Sequence, residues 1–226
     1  MQIVFLDTET TGKGDDSRLV QLCWKIADQP ANSLLVKPPT QISFGAMATH
    51  HITEKMVESK SSFHEATDDS GKSIKAVVQD VLDNSILVAH NAKFDIAVLE
   101  REGLRVGRRI CTLKVAQRLF DEPEYKLQYL RYKFGLEIPE GVVAHDAVGD
   151  VIVLEELFNH LTSHISIPEM EELTSLPVLL RRIGFGKHKG EEFKDLPLDY
   201  LSWLYQQTDI DEDLLYTLKH YLRVDI

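Results

Sequence analysis

A chain of 226 residues is long enough for one full core and a small second unit. Its 36 acidic and 25 basic side chains leave a net charge of -11, which excludes a protein that coats nucleic acid by bulk charge; such binding needs a local basic surface and cations. Cys23 and Cys111 form no CxxC pair, residues 1–8 lack an export signal, and no run reaches the ~18 apolar residues of a membrane span, so we expect a soluble cytoplasmic protein with no membrane partner.

Ile3-Val4-Phe5-Leu6 reads as a strand covered on both faces, and it ends in Asp7-Thr8-Glu9-Thr10-Thr11-Gly12. In extended backbone residues i and i+2 share a side, so Asp7 and Glu9 face one spot, where two anions repel unless a cation or proton lies between them. A calcium loop of EF-hand type starting at Asp7 would need Glu at its twelfth position, where Arg18 stands. A polar turn at 13–18 leads to a strand at Leu19–Ala27 and another at Leu34–Val36. Short helices follow between Ser43 and Ser59, with Thr53 and Glu54 as a cap and His50-His51 between the pieces. Ile74, Val77, Val78, Val81 and Leu82 share one helix face that Asn84 stops.

Ile86–Ala89 is a short apolar strand, and His90-Asn91 turns it into a helical run from Phe94 to Leu99 that ends near Gly103. Strand then helix is the grammar of an α/β fold. Arg109–Cys111 is the last strand, with helices at Leu113–Leu119, at Leu127–Phe134 before Gly135, and at Asp146–Leu161. Residues 1–163 make the first domain, 164–177, with two prolines, a linker around a short helix at Glu169–Leu173, and 178–226 a small C-terminal unit with two amphipathic helices.

Asp95 lies one turn into the helix after the fourth strand, and His145 precedes Asp150 by five residues. Five helical residues turn roughly 500°, which leaves the two side chains about 140° apart if both sit on one regular helix. His145 therefore belongs on a mobile loop before a helix capped by Asp146, with Asp150 one turn inside. Asp7-x-Glu9, Asn91-x-x-Phe94-Asp95 and His145-x-x-x-x-Asp150, with Thr10-Thr11-Gly12 and His50-x-Ile52-Thr53, resemble the motifs of the DnaQ-like (DEDDh) 3′-5′ exonuclease superfamily.

The resemblance implies a ribonuclease H-like α/β fold, a mixed sheet flanked by helices, with the C-terminal unit as a small α+β appendage. It implies a catalytic set of Asp7, Glu9, Asp95, Asp150 and His145, the four carboxylates holding metal and His145 taking the proton of the attacking water. Four carboxylates carry about the charge needed for two divalent ions, and an all-oxygen site suits Mg²⁺ or Mn²⁺ better than zinc. Thr10, Thr11, Gly12, Met47, His50, Ile52, Asn91 and Phe94 are the implied contacts to the terminal nucleotide; for Met47, His50, Ile52 and Phe94 core packing is the competing reading. Gln21 departs from the superfamily, which often has Glu there. The implied partner is nucleic acid, DNA ahead of RNA, and a homodimer is compatible with the sequence. An exoribonuclease with the same metal site, and a non-catalytic binding module, are the alternatives.

Between Arg101 and Lys133 stand nine basic and four acidic residues, which suggests phosphate contacts near the scissile end. Lys13 to Arg18 could also reach a strand. Gly184–Gly190 and Asp199–Leu204 resemble the C-terminal module of the exonuclease X group within that superfamily. The first segment is no P-loop, because His188 follows Gly186-Lys187 where Ser or Thr is required. Its glycines suit a tight hairpin presenting Arg181, Arg182, Lys187 and Lys189, for nucleic acid or for a structural or partner contact.

Overall fold

A computed structural model describes residues 2–138 and 147–224. Five strands form one mixed sheet in the order β3-β2-β1-β4-β5, with β1 (Gln2–Thr10) at its centre. β2 (Leu19–Ile26) and β3 (Asn32–Leu35) continue from β1 as an antiparallel meander. After the short helices α1 (Phe44–His50) and α2 (Glu54–Val57), α3 (Ile74–Asp83) leads to β4 (Ser85–Ala89), which pairs parallel to β1. A parallel pair needs a crossover, and α4 (Ala92–Arg101) supplies the one between β4 and β5 (Arg109–Cys111).

The alternation of side chains along β1 divides the interior in two. Ile3 and Phe5 pack with Val151, Leu154 and Leu157 of α7 (Ala147–Thr162) and with residues of α5 (Thr112–Leu119) and α6 (Leu127–Lys133). Val4 and Leu6 pack on the other face with Val78 and Leu82 of α3 and Val98 and Leu99 of α4. The strand runs farther than its apolar stretch, through Thr10, so the acidic pair lies inside the sheet, with Asp7 opposite Cys23 and Glu9 opposite Gln21.

The stretch read as a linker carries α8 (Ile167–Ser175), whose Met170 is fully buried in the core on the α7 side. Thr174 accepts a hydrogen bond from the Cys111 amide (2.9 Å) and donates to the Met170 carbonyl (2.8 Å), tying the helix to the edge strand β5. One of the two prolines, Pro168, stands in the first turn, where the missing N–H costs nothing, so it starts this helix and does not break a connection.

Ile183, Phe193, Leu201, Leu204, Leu214 and Leu218 form a separate small core between a hairpin, α9 (Leu198–Tyr205) and α10 (Glu212–Leu222). Lys114 of α5 meets Glu212 (2.6 Å) and Asp213 (3.3 Å) at the head of α10, and Arg118 reaches the carbonyls of Leu173, Leu176 and Pro177. Among the described residues no helix is long and apolar enough to cross a membrane.

Candidate active site

Where β1 passes beyond the core, its odd positions keep pointing to the α7 side. Asp7, Glu9 and Asp150 each offer a carboxylate oxygen there, all within 4.8 Å of one another, and all three residues are half-buried. The packing of Ala147, Val151 and Leu154 sets α7 against the sheet, and the ion pair of Lys25 on β2 with Glu155 (2.8 Å) fixes its register. Gln128 of α6 donates from Nε2 to Asp150 Oδ1 at 2.6 Å and orients that carboxylate. Three anions this close disfavour one another's charge. The donor set is all oxygen and partly shielded from water, which fits a hard divalent cation.

Asp95 stands apart from this trio. It is buried on α4, and its Oδ1 accepts both the amide (3.1 Å) and the hydroxyl (2.8 Å) of Thr8. Thr8 is an even residue of β1 and points to the α4 side, away from its acidic neighbours. Burial pushes the Asp95 carboxyl up to about 7, against the opposing pull of the Thr8 hydrogen bonds. Of the four carboxylates expected as ligands, three therefore converge directly, and the fourth is fastened to the strand between them. His145 and Asp146 lie outside the described residues.

A cleft of about 470 Å³ opens beside Glu9, lined by Thr10, Gly12, His50 and Phe94 of the expected nucleotide contacts. The other four do not line it. Thr11 closes the following loop, its amide donating to the Arg18 carbonyl (2.9 Å) and its hydroxyl accepting from the Arg18 amide (3.0 Å). Met47 and Ile52 pack with Val20, Ile42 and Val57 in a small core, and Asn91 holds an exposed left-handed turn (φ 69°) at the head of α4. His50 also acts as a strut. Its Nδ1 accepts from the Ile52 amide (3.0 Å), so Nε2 carries the proton and donates to the Thr10 carbonyl (3.2 Å), while burial lowers its pKa.

The sequence reading missed the other cleft wall, made by Ser43, Gly45, Ala46 and Thr49 along α1 together with Lys13. The Ser43 amide donates to the Thr11 carbonyl (2.9 Å), which brings the start of α1 to the acidic turn. The signal was present as a run of small side chains behind a capping serine. Gln21, the departure noted above, donates its amide to Ser33 (3.0 Å) and places no further charge opposite Glu9.

Several cations of the basic stretch from 101 to 133 are engaged within the protein. Arg101 donates to the carbonyls of Asp15 (3.0 Å) and Ser17 (2.8 Å), Arg108 pairs with Glu171 (2.6 Å), and Lys133 with Glu122 (3.1 Å). With Lys114 and Arg118 bound to the C-terminal segment, these cations brace loops and helices.

Comparison with known proteins places this geometry in a family. The RNase_T (exonuclease) family profile matches residues 4–158, well over half of the chain. Exodeoxyribonuclease 10 of Escherichia coli (strain K12) is 34% identical over 198 residues, covering 84% of each chain. The DNA polymerase III subunit epsilon of Treponema pallidum (strain Nichols) is 31% identical over 172 residues, covering 70% of this chain and 75% of that one. A solved structure of exonuclease X with 5′ overhanging duplex DNA superposes with a TM-score of 0.60 at 30% identity, covering 76% of this chain and 99% of the other.

Proposed function

The chain belongs to the RNase_T exonuclease family, and from that premise we propose a DnaQ-like, metal-dependent 3′-5′ exonuclease that removes nucleoside 5′-monophosphates from DNA 3′ ends. The observation that carries this reading is the convergence of Asp7, Glu9 and Asp150 at the edge of a nucleotide-sized cleft, with Glu9 belonging to both. Asp7, Glu9 and Asp150 would hold Mg²⁺ or Mn²⁺, two ions per site. Asp95 is the fourth carboxylate, and because its Oδ1 is engaged by Thr8, its share of the site falls to the second oxygen. The chemistry supplied when the ions are bound is acidification of the attacking water and neutralisation of the leaving 3′ oxygen.

The protein's own part is positioning and proton transfer. Gln128 holds Asp150 in place, and Thr8 fixes Asp95 to the strand that carries the other two acids. Small side chains at Gly12, Ser43, Gly45 and Ala46 leave room for the terminal nucleotide, with Phe94 and His50 on the cleft wall. His145 takes the proton of the attacking water, since an imidazole titrates near the working pH. The deciding experiment compares 5′-labelled DNA and RNA oligomers of one sequence on a denaturing gel, with Mg²⁺ and then with EDTA. Stepwise shortening of DNA that EDTA stops is the expected result; faster loss of RNA would move the substrate, and no shortening of either would leave a binding module.

A further inference from the structure

The C-terminal unit lies beyond the family match, which ends at residue 158, and carries a hairpin that is locally basic within this acidic chain. Residues 181–190 contain Arg181, Arg182, Lys187, His188 and Lys189 and no acid, in a chain of net charge -11. They form a hairpin closed by the Gly190 amide on the Ile183 carbonyl (2.8 Å), with Gly186 and Gly190 in the left-handed region (φ 68° and 92°). The hairpin lies on α9. His188 meets the Tyr200 ring edge-on at 4.5 Å, Lys187 Nζ sits 5.2 Å from the centre of the same ring, and Tyr200 stacks with Trp203 at 5.7 Å. Trp203 nevertheless remains 54% exposed and Phe185 46% exposed.

Two observations select nucleic acid as the occupant. Among the described residues Lys187 and Lys189 enter no ion pair, whereas Arg181 pairs with Asp121, Arg182 with Glu192 and His188 with Glu191, and the acids lining the adjoining cleft are occupied: Asp213 by Lys114, Glu122 by Lys133, Glu124 by Lys126, and Asp211 as the cap of α10. The hairpin side of the patch, through Phe185 and Lys189, also borders the catalytic domain. A cleft of about 700 Å³ runs from Asn91, at the head of the helix bearing Asp95, to Arg181, Phe185 and Lys189. Exposed aromatic rings among unpaired lysines are the chemistry that takes single-stranded nucleic acid, with bases on the rings and phosphates on the cations.

We propose that the hairpin and α9 form a second contact for the substrate, gripping its single-stranded part away from the 3′ end, with Trp203 stacking on a base and Lys187 and Lys189 meeting phosphates. The proposal rests on the exonuclease reading for the identity of that substrate. The test uses the full chain in EDTA, where no cutting occurs, and follows the fluorescence anisotropy of labelled single-stranded DNA of about 5 and about 25 nucleotides, either side of a typical binding site. Trp203→Ala and the double change Lys187→Ala with Lys189→Ala should each weaken the long oligomer about tenfold, the loss of one stack or of two phosphate contacts, and leave the short one within about twofold. The lysine pair should also reduce the slope of log affinity against log salt by about 1.4, at ~0.7 per phosphate. Trp203→Phe should retain most of the affinity, which separates stacking from damage to the fold. Unchanged affinity for the long oligomer, or equal losses on both lengths, overturns the second contact. A wild type that binds the long oligomer through this patch yet shortens no DNA in Mg²⁺ upholds the contact and overturns the exonuclease reading.

Discussion

Thr8 separates two kinds of carboxylate by a single residue step. Its neighbours Asp7 and Glu9 turn to α7 and meet Asp150, while Thr8 turns to α4 and holds Asp95 by two hydrogen bonds. The first half of this was legible in the sequence, because the parity of a strand needs only local spacing. The second was not, since the Thr8–Asp95 contact joins residues 87 apart and nothing in either segment announces it. Replacing Asp150 by Asn keeps the shape and removes a charge, so Mg²⁺-dependent shortening should fall by roughly a hundredfold or more with the thermal midpoint preserved; a near-normal rate would take Asp150 out of the site. Thr8→Val removes one donor to the ionised form of Asp95. Its pKa should then rise further above the usual carboxylate range, and the acidic limb of the rate profile should move to higher pH by about one unit. An unshifted profile would show that ionisation of Asp95 does not limit the reaction.

Elements were legible wherever a periodic apolar face met a recognisable stop. Asn84 ends α3, Gly103 follows α4 at φ 75°, and Gly135 follows α6 at φ 60°. α8 was harder to read because its fixing contacts, Met170 in the core and Thr174 on Cys111, join it to residues distant in the sequence. A similar long-range tie holds the end of β4. His90 Nε2 donates to the Tyr125 carbonyl (2.8 Å), so Nδ1 is the acceptor and takes the Thr112 hydroxyl (2.9 Å), joining β4, the start of α5 and the segment before α6. Burial depresses this imidazole to about 4. The unfolded chain, with an ordinary histidine near 6.5, binds the proton first, so the His90 contribution is present above about 6.5 and is lost as the pH falls toward 4, about 3 kcal/mol across the window. The raised Asp95 works in the opposite sense, because it favours the fold at low pH and that share is lost as the pH rises toward 7. The informative measurement is therefore a difference. Urea unfolding of the wild type and of His90→Gln at pH 5 and pH 7 should show the wild type losing more stability at pH 5 than the variant does, and parallel losses would mean that His90 is not buried neutral.

At the scale of the whole molecule, charge is spent internally more than composition suggests. The cations between 101 and 133 looked like a binding face in sequence, where neighbours along the chain are visible and ion partners are not; in space Arg101 braces the loop after the acidic turn, and Lys114 and Arg118 fasten the C-terminal segment. Charges of one sign are gathered instead in the acidic trio. Millimolar Mg²⁺ should raise the thermal midpoint of the wild type, because a ligand bound only by the folded state stabilises it. Asp7→Asn should abolish most of that rise, and an equal rise in both proteins would place cation binding elsewhere. The trio also spans the chain from the first strand to α7. Chains emerge from synthesis amino end first, so β1 is made early and its two acids wait for partners that are translated more than a hundred residues later. On the proposed reading, a nascent or prematurely terminated polypeptide lacking α7 would hold Asp7, Glu9 and Asp95 without Asp150, and the acidic cluster would close only when that helix docks.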